Sequence, residues 1–442
     1  MPDNLLLLTI DSLRADTIIE EEVDTPAIDS LRTDGIEFDR AFATGPGTSP
    51  SFPALLTGTL PLSYDGLGPL SADRPRLSTQ FQNAGFATAA FHSNPFLSSH
   101  FNYEVGFDQF MDYQNPLMGV ATKVFPQGIE LNQTPLARVD ELVNLTGFIK
   151  WTYQKVRGKP RPYVPADVIS ADTIEWLESV QQAFFCWSHY MDVHQPCYPP
   201  AEYREQFDVG DVSQSEAAEL YSRSLSTGKL TESELMNHRS LAKAALAFTD
   251  EQIGRILTAL EKQGKFDDTL IVLTSDHGHL YGEYNTFGKP ERMYDELLQV
   301  PLILVNYPTR IVDAVENLVS LLDIPPTMHR LFDLPIPQEY EGQAIGHGDP
   351  RTHIIAEHEV DEDVIVGVRT EDLLYEYDEI NDDERLFEFR NGGLNRTKRT
   401  AEDDIVRPVI ANRLSEIDVD GYVLEQETDS EIQERLEDLG YL

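Results

Sequence analysis

Residues 44–58, which read TGPGTSPSFPALLTG, are the stretch around which the rest of the chain is organised. Small, flexible and hydroxylated residues open it and an apolar run closes it, so the pattern predicts a loop that leads into a short helix. Ser49 suits the N-cap and Pro50 the first helical position. A hydroxyl held there faces unpaired backbone N–H groups, which suit an oxyanion. Taken alone, the same residues more often mark an ordinary helix start.

Apolar runs bounded by polar residues predict the buried strands of an α/β fold. These runs are residues 5–10, 86–91, 184–187, 270–273 and 302–305. In open α/β sheets ligands bind where strands end, so the polar residues that follow the strands are candidates for a site. Asp11 follows the first run directly. An acid in this place can also simply cap a helix.

Helical patterns and a change of composition suggest two domains. Helices are expected to begin near Thr25 and near Asp323. Further helices are expected over residues 76–83, 166–180 and 232–262, and the last of these ranges fits one or two helices. Residues 36–43 predict one more strand. Beyond about residue 346, short alternating stretches predict a small antiparallel sheet, and residues 430–442 an amphipathic helix. We therefore predict a large α/β domain over residues 1–345 and a small α+β subdomain over residues 346–442.

Residues 114–165 have an irregular pattern, which we interpret as an insertion or lid. Within them, residues 148–163 combine basic and aromatic side chains without any acid. Such a segment could guide an anionic substrate or contact a membrane surface. A solvated basic helix and loop paired with acidic neighbours is the alternative.

The formal net charge of the 442 residues is −42, and the acid is spread along the chain. Spread acid predicts a solvated surface suited to high salt, where screening relieves self-repulsion. It argues against nucleic-acid binding, which needs a basic face. The two cysteines, Cys186 and Cys197, form neither a zinc motif nor a disulfide framework. No apolar run approaches the length of a membrane span and no signal-peptide pattern is visible, so we expect a cytoplasmic enzyme.

Two strand ends carry the residue types that bind metals and transfer protons. Asp276 and His277 are adjacent after a strand and can ligate one divalent ion together, with Asp11 placed to join them. His189 and His194 follow another strand and form a candidate acid/base pair. A single histidine in a loop is more often structural.

These motifs stand in an order that resembles the sulfatase family of the alkaline phosphatase superfamily over nearly the whole chain. The matching pieces are DSLRAD at 11–16, TPAID at 25–29, the loop ending in LLTG at 55–58, DVHQP at 192–196, TSDHG at 274–278 with Lys289, and DIPPT at 323–327. The resemblance implies a doubly wound, mostly parallel α/β sheet that carries one divalent metal ion.

The resemblance also implies a role for individual residues. The implied metal ligands are Asp11, Thr48, Asp276 and His277. The implied catalytic residues are Thr48, His194 and Lys289, and the expected substrate contacts are Ser12, Asn94 and His189. His194 would act as the acid/base or leaving-group residue, and Lys289 would neutralise a substrate oxygen. Oxygen ligands with one imidazole fit Ca²⁺, Mg²⁺ or Mn²⁺, and Zn²⁺ as well.

The chain departs from the family pattern around the nucleophile. The family has Cys or Ser there, later oxidised to formylglycine, with Arg four residues on; this chain has Thr48 and Phe52. Threonine cannot form that aldehyde because its carbinol carbon bears a methyl group, so no formylglycine is expected. Ser12 replaces the second Asp of a pair, and Ser93 and Asn94 replace a Lys and a His. The anion site therefore has less positive charge than a typical sulfatase.

These departures predict a metal-dependent hydrolase of sulfate- or phosphate-type esters with Thr48 as the direct nucleophile, because a threonine ester must be discharged by water. A phosphodiesterase, a phosphonate hydrolase or a phosphoryl-type transferase on the same fold is the alternative. An alternative of another class is a degenerate protein that binds an anion without turnover. The expected substrate is a small or polymer-linked anionic ester.

Overall fold

The computed structural model describes residues 2–19, 23–64, 66–113, 163–307, 315–360, 363–379, 381, 383–390, 393–396 and 403–417. Its strands are β1 (Asn4–Ile10), β2 (Ile36–Glu37), β3 (Ala41–Phe42), β4 (Ala87–Phe91), β5 (Gln109–Met111), β6 (Phe184–Tyr190), β7 (Thr269–Thr274), β8 (Leu280–Tyr281), β9 (Phe287–Gly288), β10 (Leu302–Val305), β11 (Val319–Ser320), β12 (Ile354–Val360), β13 (Asp363–Arg369), β14 (Leu373–Asp378), β15 (Asp383–Arg390) and β16 (Gly393–Arg396). Its α-helices are α1 (Ala15–Ile19), α2 (Pro26–Asp34), α3 (Thr48–Thr57), α4 (Leu77–Asn83), α5 (Ala166–Ser179), α6 (Ala201–Gln206), α7 (Gln214–Thr227), α8 (Glu232–Lys262), α9 (Asp295–Leu298), α10 (Ile324–Leu331) and α11 (Asp403–Leu414).

Within the described residues, a central sheet has the strand order β2–β10–β7–β1–β6–β4–β5. The strands from β7 to β5 run parallel, and β10 runs antiparallel to both of its neighbours. Every residue of β1 is buried at the middle of the sheet. A strand covered on both faces must be apolar at nearly every position, which explains its leucine-rich sequence. The predicted mostly parallel α/β sheet is confirmed.

Helices cover both faces of the central sheet. Leu6, Leu8 and Ile10 of β1 belong to a core shared with α2, α5 and α8. Leu5 and Leu7 belong to a second core, shared with α3, α4 and α10. Because successive side chains of a strand point to opposite faces, one apolar strand supports two cores. This is the doubly wound arrangement that the resemblance implies.

A second, antiparallel sheet contains β12 to β16, each paired with the next. One face packs against Phe42, Met293 and Leu298 beside the central sheet, and the other packs against Val406 and Ile410 of α11. The predicted small C-terminal antiparallel sheet is confirmed. The helix predicted over residues 430–442 lies outside the described residues, and α11 was not predicted.

Three elements differ from the prediction by more than a single residue at one end. The helix α3 begins at Thr48 with Gly47 as its N-cap, so the prediction of Ser49 as N-cap is wrong. Residues 36–43 form two short strands rather than one, because β2 pairs with β10 and β3 with β11. The strand β6 continues to Tyr190, three residues beyond the predicted end. The extension was not predicted because its side chains are polar, and their hydrogen-bond partners come close only in the folded sheet.

No helix in the described ranges is both long and apolar enough to cross a membrane. Residues 148–162 of the basic and aromatic segment lie outside the described residues, so its predicted role stays a prediction.

Candidate active site

Two neighbouring strands end at the same edge of the sheet and bring three candidate ligands together. Asp11 follows β1, and Asp276 and His277 follow β7, which pairs in parallel with β1. One ligand atom from each of these residues lies within 4.8 Å of the other two, and all three side chains are buried. The parallel register therefore produces the juxtaposition that the sequence predicts.

Ser12 holds the two carboxylates in place. Its backbone N–H donates to Asp276 Oδ1 at 3.2 Å, and its hydroxyl donates to Asp11 Oδ1 at 2.7 Å. Its φ of 63° lies in the left-handed region, which a residue with a side chain adopts at some energetic cost. The hydroxyl is thus directed at Asp11, and this geometry does not favour the predicted contact of Ser12 with substrate.

Thr48 directs its hydroxyl at the same cluster. Its Oγ1 lies 3.3 Å from His277 Nε2 and 3.5 Å from Asp11 Oδ2. Gly47, the N-cap of α3, supplies no side-chain hydrogen bond to the first helical turn. The positive end of the helix therefore lies at Thr48. We name the group that consists of Asp11, Thr48, Asp276 and His277 the metal cradle.

The loop before Thr48 is anchored to the C-terminal sheet. The carbonyl of Thr44 accepts the N–H of Glu357 in β12 at 2.7 Å, and the Ser51 hydroxyl donates to the carbonyl of Gly45 at 2.9 Å. A Cβ on Gly45 would lie 2.7 Å from the carbonyl oxygen of Glu357. Only glycine permits this approach, so the C-terminal sheet helps to place Thr48.

His277 faces the cradle as a neutral ligand. Its Nδ1 lies 2.8 Å from the carbonyl oxygen of Gly278, which can only accept, so Nδ1 carries the proton. Nε2 then holds a lone pair, and it lies 3.4 Å from Asp276 Oδ2 and 3.7 Å from Asp11 Oδ1. Burial, followed by the charge of Lys289, lowers the pKa of His277 to about 3. An imidazole in this state is suited to bind a metal ion.

The two cradle carboxylates differ in their affinity for protons. Burial and the nearby Asp11 raise the pKa of Asp276 well above its usual value. Burial also opposes ionisation of Asp11, but His194 and the contact with His189 outweigh it and hold the pKa of Asp11 well below its usual range. Two buried carboxylates this close repel each other when both are ionised, and a divalent cation between them relieves that repulsion. The donor set therefore fits such an ion.

His194 and Lys289 meet beside the cradle. His194 follows β6 and Lys289 follows β9, and Nζ of the lysine lies 2.6 Å from Nε2 of the histidine. Burial, helped by Lys289, lowers the pKa of His194 to about 3. Burial also lowers the pKa of Lys289 to about 8, against the opposing charges of Asp11 and Asp276. At pH 7 the lysine is therefore protonated and donates to a neutral histidine.

Asn94 lies against the cradle. Its Nδ2 donates to Asp11 Oδ2 at 2.9 Å and lies 3.4 Å from Thr48 Oγ1. Its Oδ1 accepts the N–H of Phe96 at 3.0 Å, which fixes the orientation of the amide. Asn94 therefore borders the predicted nucleophile, and its contact with substrate stays a prediction.

Phe52 and Ser93 stand where the family pattern has cationic side chains. The Phe52 ring is buried, 5.5 Å from the ring of Trp187 and 5.1 Å from that of His189. The Ser93 hydroxyl accepts the N–H of Val164 at 3.0 Å. Neither side chain brings a charge to the site, so among the described residues next to them Lys289 supplies the positive charge. We name the group that consists of Phe52, Ser93, Asn94 and Lys289 the anion side.

His189 lies within β6 rather than in the loop after it. Its Nδ1 lies 2.9 Å from Thr9 Oγ1, and its Nε2 lies 3.4 Å from Asp11 Oδ2. The indole N–H of Trp187 donates to the same Thr9 hydroxyl at 3.0 Å. This position behind Asp11 favours a role on Asp11 over the predicted contact with substrate. Sequence reasoning missed Thr9 and Trp187, because polar groups inside an apolar strand give no signal until the register is known.

A family model described as Sulfatase matches residues 3–334 of the chain. The uncharacterized sulfatase YidJ of Escherichia coli (strain K12) is 26% identical over 352 residues, which cover 73% of this chain and 66% of that protein, just under two thirds of its length. The arylsulfatase of Clostridium perfringens (strain 13 / Type A) is 23% identical over 419 residues, which cover 82% of this chain and 83% of that protein.

Solved structures share the fold. The phosphonate monoester hydrolase of Agrobacterium radiobacter superposes with a TM-score of 0.69 at 20% identity, covering 94% of this chain and 95% of that chain. The structure of BT4656 in complex with its substrate D-glucosamine-2-N,6-O-disulfate superposes with a TM-score of 0.67 at 18% identity, covering 94% and 97%. At these identities the likeness concerns the fold.

Proposed function

Because the chain belongs to the sulfatase family, whose members are ester hydrolases, we propose that it hydrolyses sulfate- or phosphate-type esters with a divalent metal ion and with Thr48 as direct nucleophile. The observation that carries this proposal is the place of the Thr48 hydroxyl, 3.3 Å from His277 Nε2 and 3.5 Å from Asp11 Oδ2. A hydroxyl, a set of metal ligands and a helix N-terminus converge there, which is the environment that activates a nucleophile.

The four residues of the metal cradle would hold the divalent ion on which the family depends. When bound, such an ion lowers the pKa of a coordinated hydroxyl and withdraws charge from a tetrahedral oxyanion. The chain itself adds the partial positive charge at the N-terminus of α3, directly beside Thr48. Ser12 and Asn94 keep Asp11 oriented through hydrogen bonds to its two carboxylate oxygens.

The reaction we propose consists of two substitutions. In the first, Thr48 Oγ1 loses its proton to solvent and bonds to the sulfur or phosphorus atom, while the bond from that atom to the leaving oxygen breaks. Lys289 Nζ supplies the proton of the leaving oxygen, and the lone pair of His194 Nε2, 2.6 Å from Nζ, holds the ammonium group in place. In the second, water attacks the same atom and the bond to Oγ1 breaks. The hydroxyl of the water stays on the released acid, its other proton returns to Lys289, and Thr48 regains a proton from solvent.

The charges of the site support substrates with one negative charge on the transferred group. Asp11 and Asp276 together balance a divalent ion, so Lys289 contributes the remaining positive charge. Sulfate esters, phosphodiesters and phosphonate monoesters carry one negative charge there, whereas phosphate monoesters carry nearly two. The arylsulfatase and the phosphonate monoester hydrolase among the similar proteins agree with this class. A saccharide sulfate, such as the disulfate that BT4656 binds, belongs to it as well.

A protein that binds an anion without turnover is the second candidate. The uncharged Phe52 and Ser93 favour it, since they leave the anion weakly held. The cradle together with the His194–Lys289 pair favours the enzyme, because a binding protein needs no nucleophile beside a proton donor. Metal content separates the two candidates. Stoichiometric divalent metal with turnover supports the enzyme, and the absence of both supports the binding protein.

The proposed nucleophile is tested by comparing Thr48→Ala, Thr48→Ser and Ser49→Ala. Ser49 is a matched control, since it is the next hydroxyl on the same helix and does not belong to the cradle. Assays on an aryl sulfate, a phosphate monoester, a phosphodiester and a phosphonate monoester would use several divalent metals, at low and high salt because of the net charge of −42.

We expect Thr48→Ala to lower kcat by at least ~10³-fold, Thr48→Ser to remain active, and Ser49→Ala to change kcat by less than about twofold. Undiminished turnover of Thr48→Ala would rule out Thr48 as the nucleophile.

A further inference from the structure

We propose that His189 is a positioning residue, which together with Thr9 and Trp187 fixes the Asp11 carboxylate from behind. These three residues form a buried chain of polar groups between the core of the sheet and the metal cradle. The inference rests on the proposed function for its consequence in catalysis, while its structural content concerns a hydrogen-bond chain inside the protein.

The three residues of this hydrogen-bond chain meet because of the register of two central strands. Thr9 of β1 stands opposite His189 of β6, so their side chains meet on the same face of the sheet. Trp187 lies two residues before His189, and therefore on that same face. All three side chains are fully buried, so bulk solvent does not reach them.

The direction of each hydrogen bond follows from the donors. The Trp187 indole N–H can only donate, and it does so to Thr9 Oγ1 at 3.0 Å. The Thr9 proton then needs an acceptor, and His189 Nδ1 at 2.9 Å provides the lone pair. We therefore assign the proton of His189 to Nε2, which leaves the Nδ1 lone pair to accept from Thr9.

The Nε2–H of His189 meets Asp11. Asp11 Oδ2 lies 3.4 Å away, an electrostatic contact slightly longer than an ordinary hydrogen bond, and no described residue offers Nε2 a closer hydrogen bond. A buried N–H this close to a carboxylate oxygen attracts it electrostatically and favours its ionised form. Asp11 is thus held by His189 and Asn94 at Oδ2 and by Ser12 at Oδ1.

Phe52 and Trp187 hold the imidazole ring itself. The Phe52 ring meets the His189 ring edge-on at 5.1 Å, and the Trp187 ring lies 6.1 Å from it. Aromatic contacts of this kind restrict the rotation of the ring. The apolar Phe52 of the anion side therefore lies against the ring that contacts Asp11.

Loss of the His189 N–H should loosen Asp11 without removing it. Partners behind a metal ligand contribute about 10- to 100-fold to metal affinity or activity. We therefore expect His189→Phe, which keeps a planar ring, and Thr9→Val, which keeps the shape of the side chain, each to weaken Mn²⁺ binding and kcat by about 10- to 100-fold, with KM less affected. His189→Gln and Thr9→Ser can restore the donor and the acceptor and should recover most of both.

The control for a merely structural effect is Thr173→Val. Thr173 is a buried threonine of α5 whose hydroxyl lies 2.9 Å from Ser188 Oγ. Ser188 is on the same strand as His189, but its side chain faces the opposite side of the sheet. The Thr173→Val variant loses a comparable buried hydrogen bond, so its Tm should fall about as far as that of Thr9→Val. Its Mn²⁺ affinity and kcat should stay at the wild-type values.

The tautomer is measured directly by ¹⁵N NMR of histidine-labelled protein, with His189→Phe identifying the signal. We expect a protonated Nε2 and a bare Nδ1 for His189. A proton on Nδ1 would overturn the inference, as would a Thr173→Val variant that loses as much Mn²⁺ affinity as Thr9→Val, or a wild-type protein that binds no Mn²⁺. Full activity of Thr48→Ala would instead refute the proposed nucleophile and leave the positioning of Asp11 intact.

Discussion

The metal cradle and the anion side occupy the same edge of the sheet, yet they differ in how much charge they contain. The cradle unites two carboxylates, a neutral imidazole and a hydroxyl, with the ligand atoms of Asp11, Asp276 and His277 within 4.8 Å of one another. The anion side contains an aromatic ring, a hydroxyl and an amide, and Lys289 supplies its charge.

The two groups also depend on different elements of the fold, so we expect the two halves of the site to respond separately to substitution. Asp11 and Asp276 of the cradle are brought together by the register of β1 and β7. The anion side depends on the first turns of α3 and the loop after β4, where a side chain can turn into the core. The Phe52 side chain points into the core and packs against Trp187 and His189. Among the described residues, the cradle groups the predicted metal ligands, whereas the anion side has a single charged side chain.

The largest effect is expected from Asp276→Asn, which removes a cradle charge at nearly constant shape. We expect loss of the bound metal and a fall in kcat/KM of at least ~10³-fold, equivalent to about 4 kcal/mol of transition-state stabilisation. Metal analysis and steady-state kinetics check this. The control is Asp250→Asn, another buried carboxylate, which accepts the N–H groups of Ala27 and Ile28 at the start of α2. Equal metal content in the two variants would contradict the assignment of the cradle.

A smaller effect is expected from Lys289→Ala, which removes the charge of the anion side. We expect kcat/KM to fall by about 10²-fold, as for the loss of one donor to a developing anion, with the metal content unchanged. The control is Lys265→Ala, since the Lys265 ammonium binds the carbonyls of Leu177 and Val180 away from the site. Loss of metal from Lys289→Ala would show that the two halves are not independent.

The pH dependence should reveal the same lysine with an effect of about tenfold. The pKa of Lys289 is lowered to about 8, so its charge is present at neutral pH and is lost as the pH rises through that value. If the charged form binds the anion, kcat/KM should fall by about tenfold between pH 7 and pH 9. Lys289→Arg should move this limb above the measured range, because arginine stays protonated. A wild-type profile that is flat to pH 9 would contradict this role.

The smallest effect on activity is expected from Phe52→Leu. Phe52 belongs to the core on its face of the sheet, so we expect kcat/KM to change by less than about threefold while unfolding becomes easier by about 1–2 kcal/mol. Urea denaturation and kinetics measure both quantities. Phe81→Leu is the matched control, as a buried phenylalanine of the same core that packs against Phe185 and Phe332. A tenfold loss confined to Phe52→Leu would place Phe52 in the anion site itself.

Sequence patterns predicted the neighbourhood of the cradle because its ligands follow apolar strands directly. Asp11 follows its run directly and Asp276 follows the run at 270–273 after two polar residues, and parallel pairing of the strands then brings the two together. The roles of these residues remain predictions.

Other features depend on contacts that no local pattern shows. The N-cap is Gly47 rather than Ser49, and the hydrogen bond from Glu357 to Thr44 anchors the loop before it from a distant sheet. The strand β6 extends through Ser188 and His189, whose polar side chains meet Thr173 and Thr9 only after folding.

The position of Thr48 as the acceptor of the transferred group is tested most directly by quenching the protein in acid during turnover and measuring the mass of the peptide that contains residues 44–58. If Thr48 is the nucleophile, we expect a fraction of this peptide to carry one sulfuryl or phosphoryl group on Thr48, and the resting protein to contain an unmodified threonine. Steady turnover with no such group on the peptide, or with the group on Ser49, would contradict the proposed mechanism.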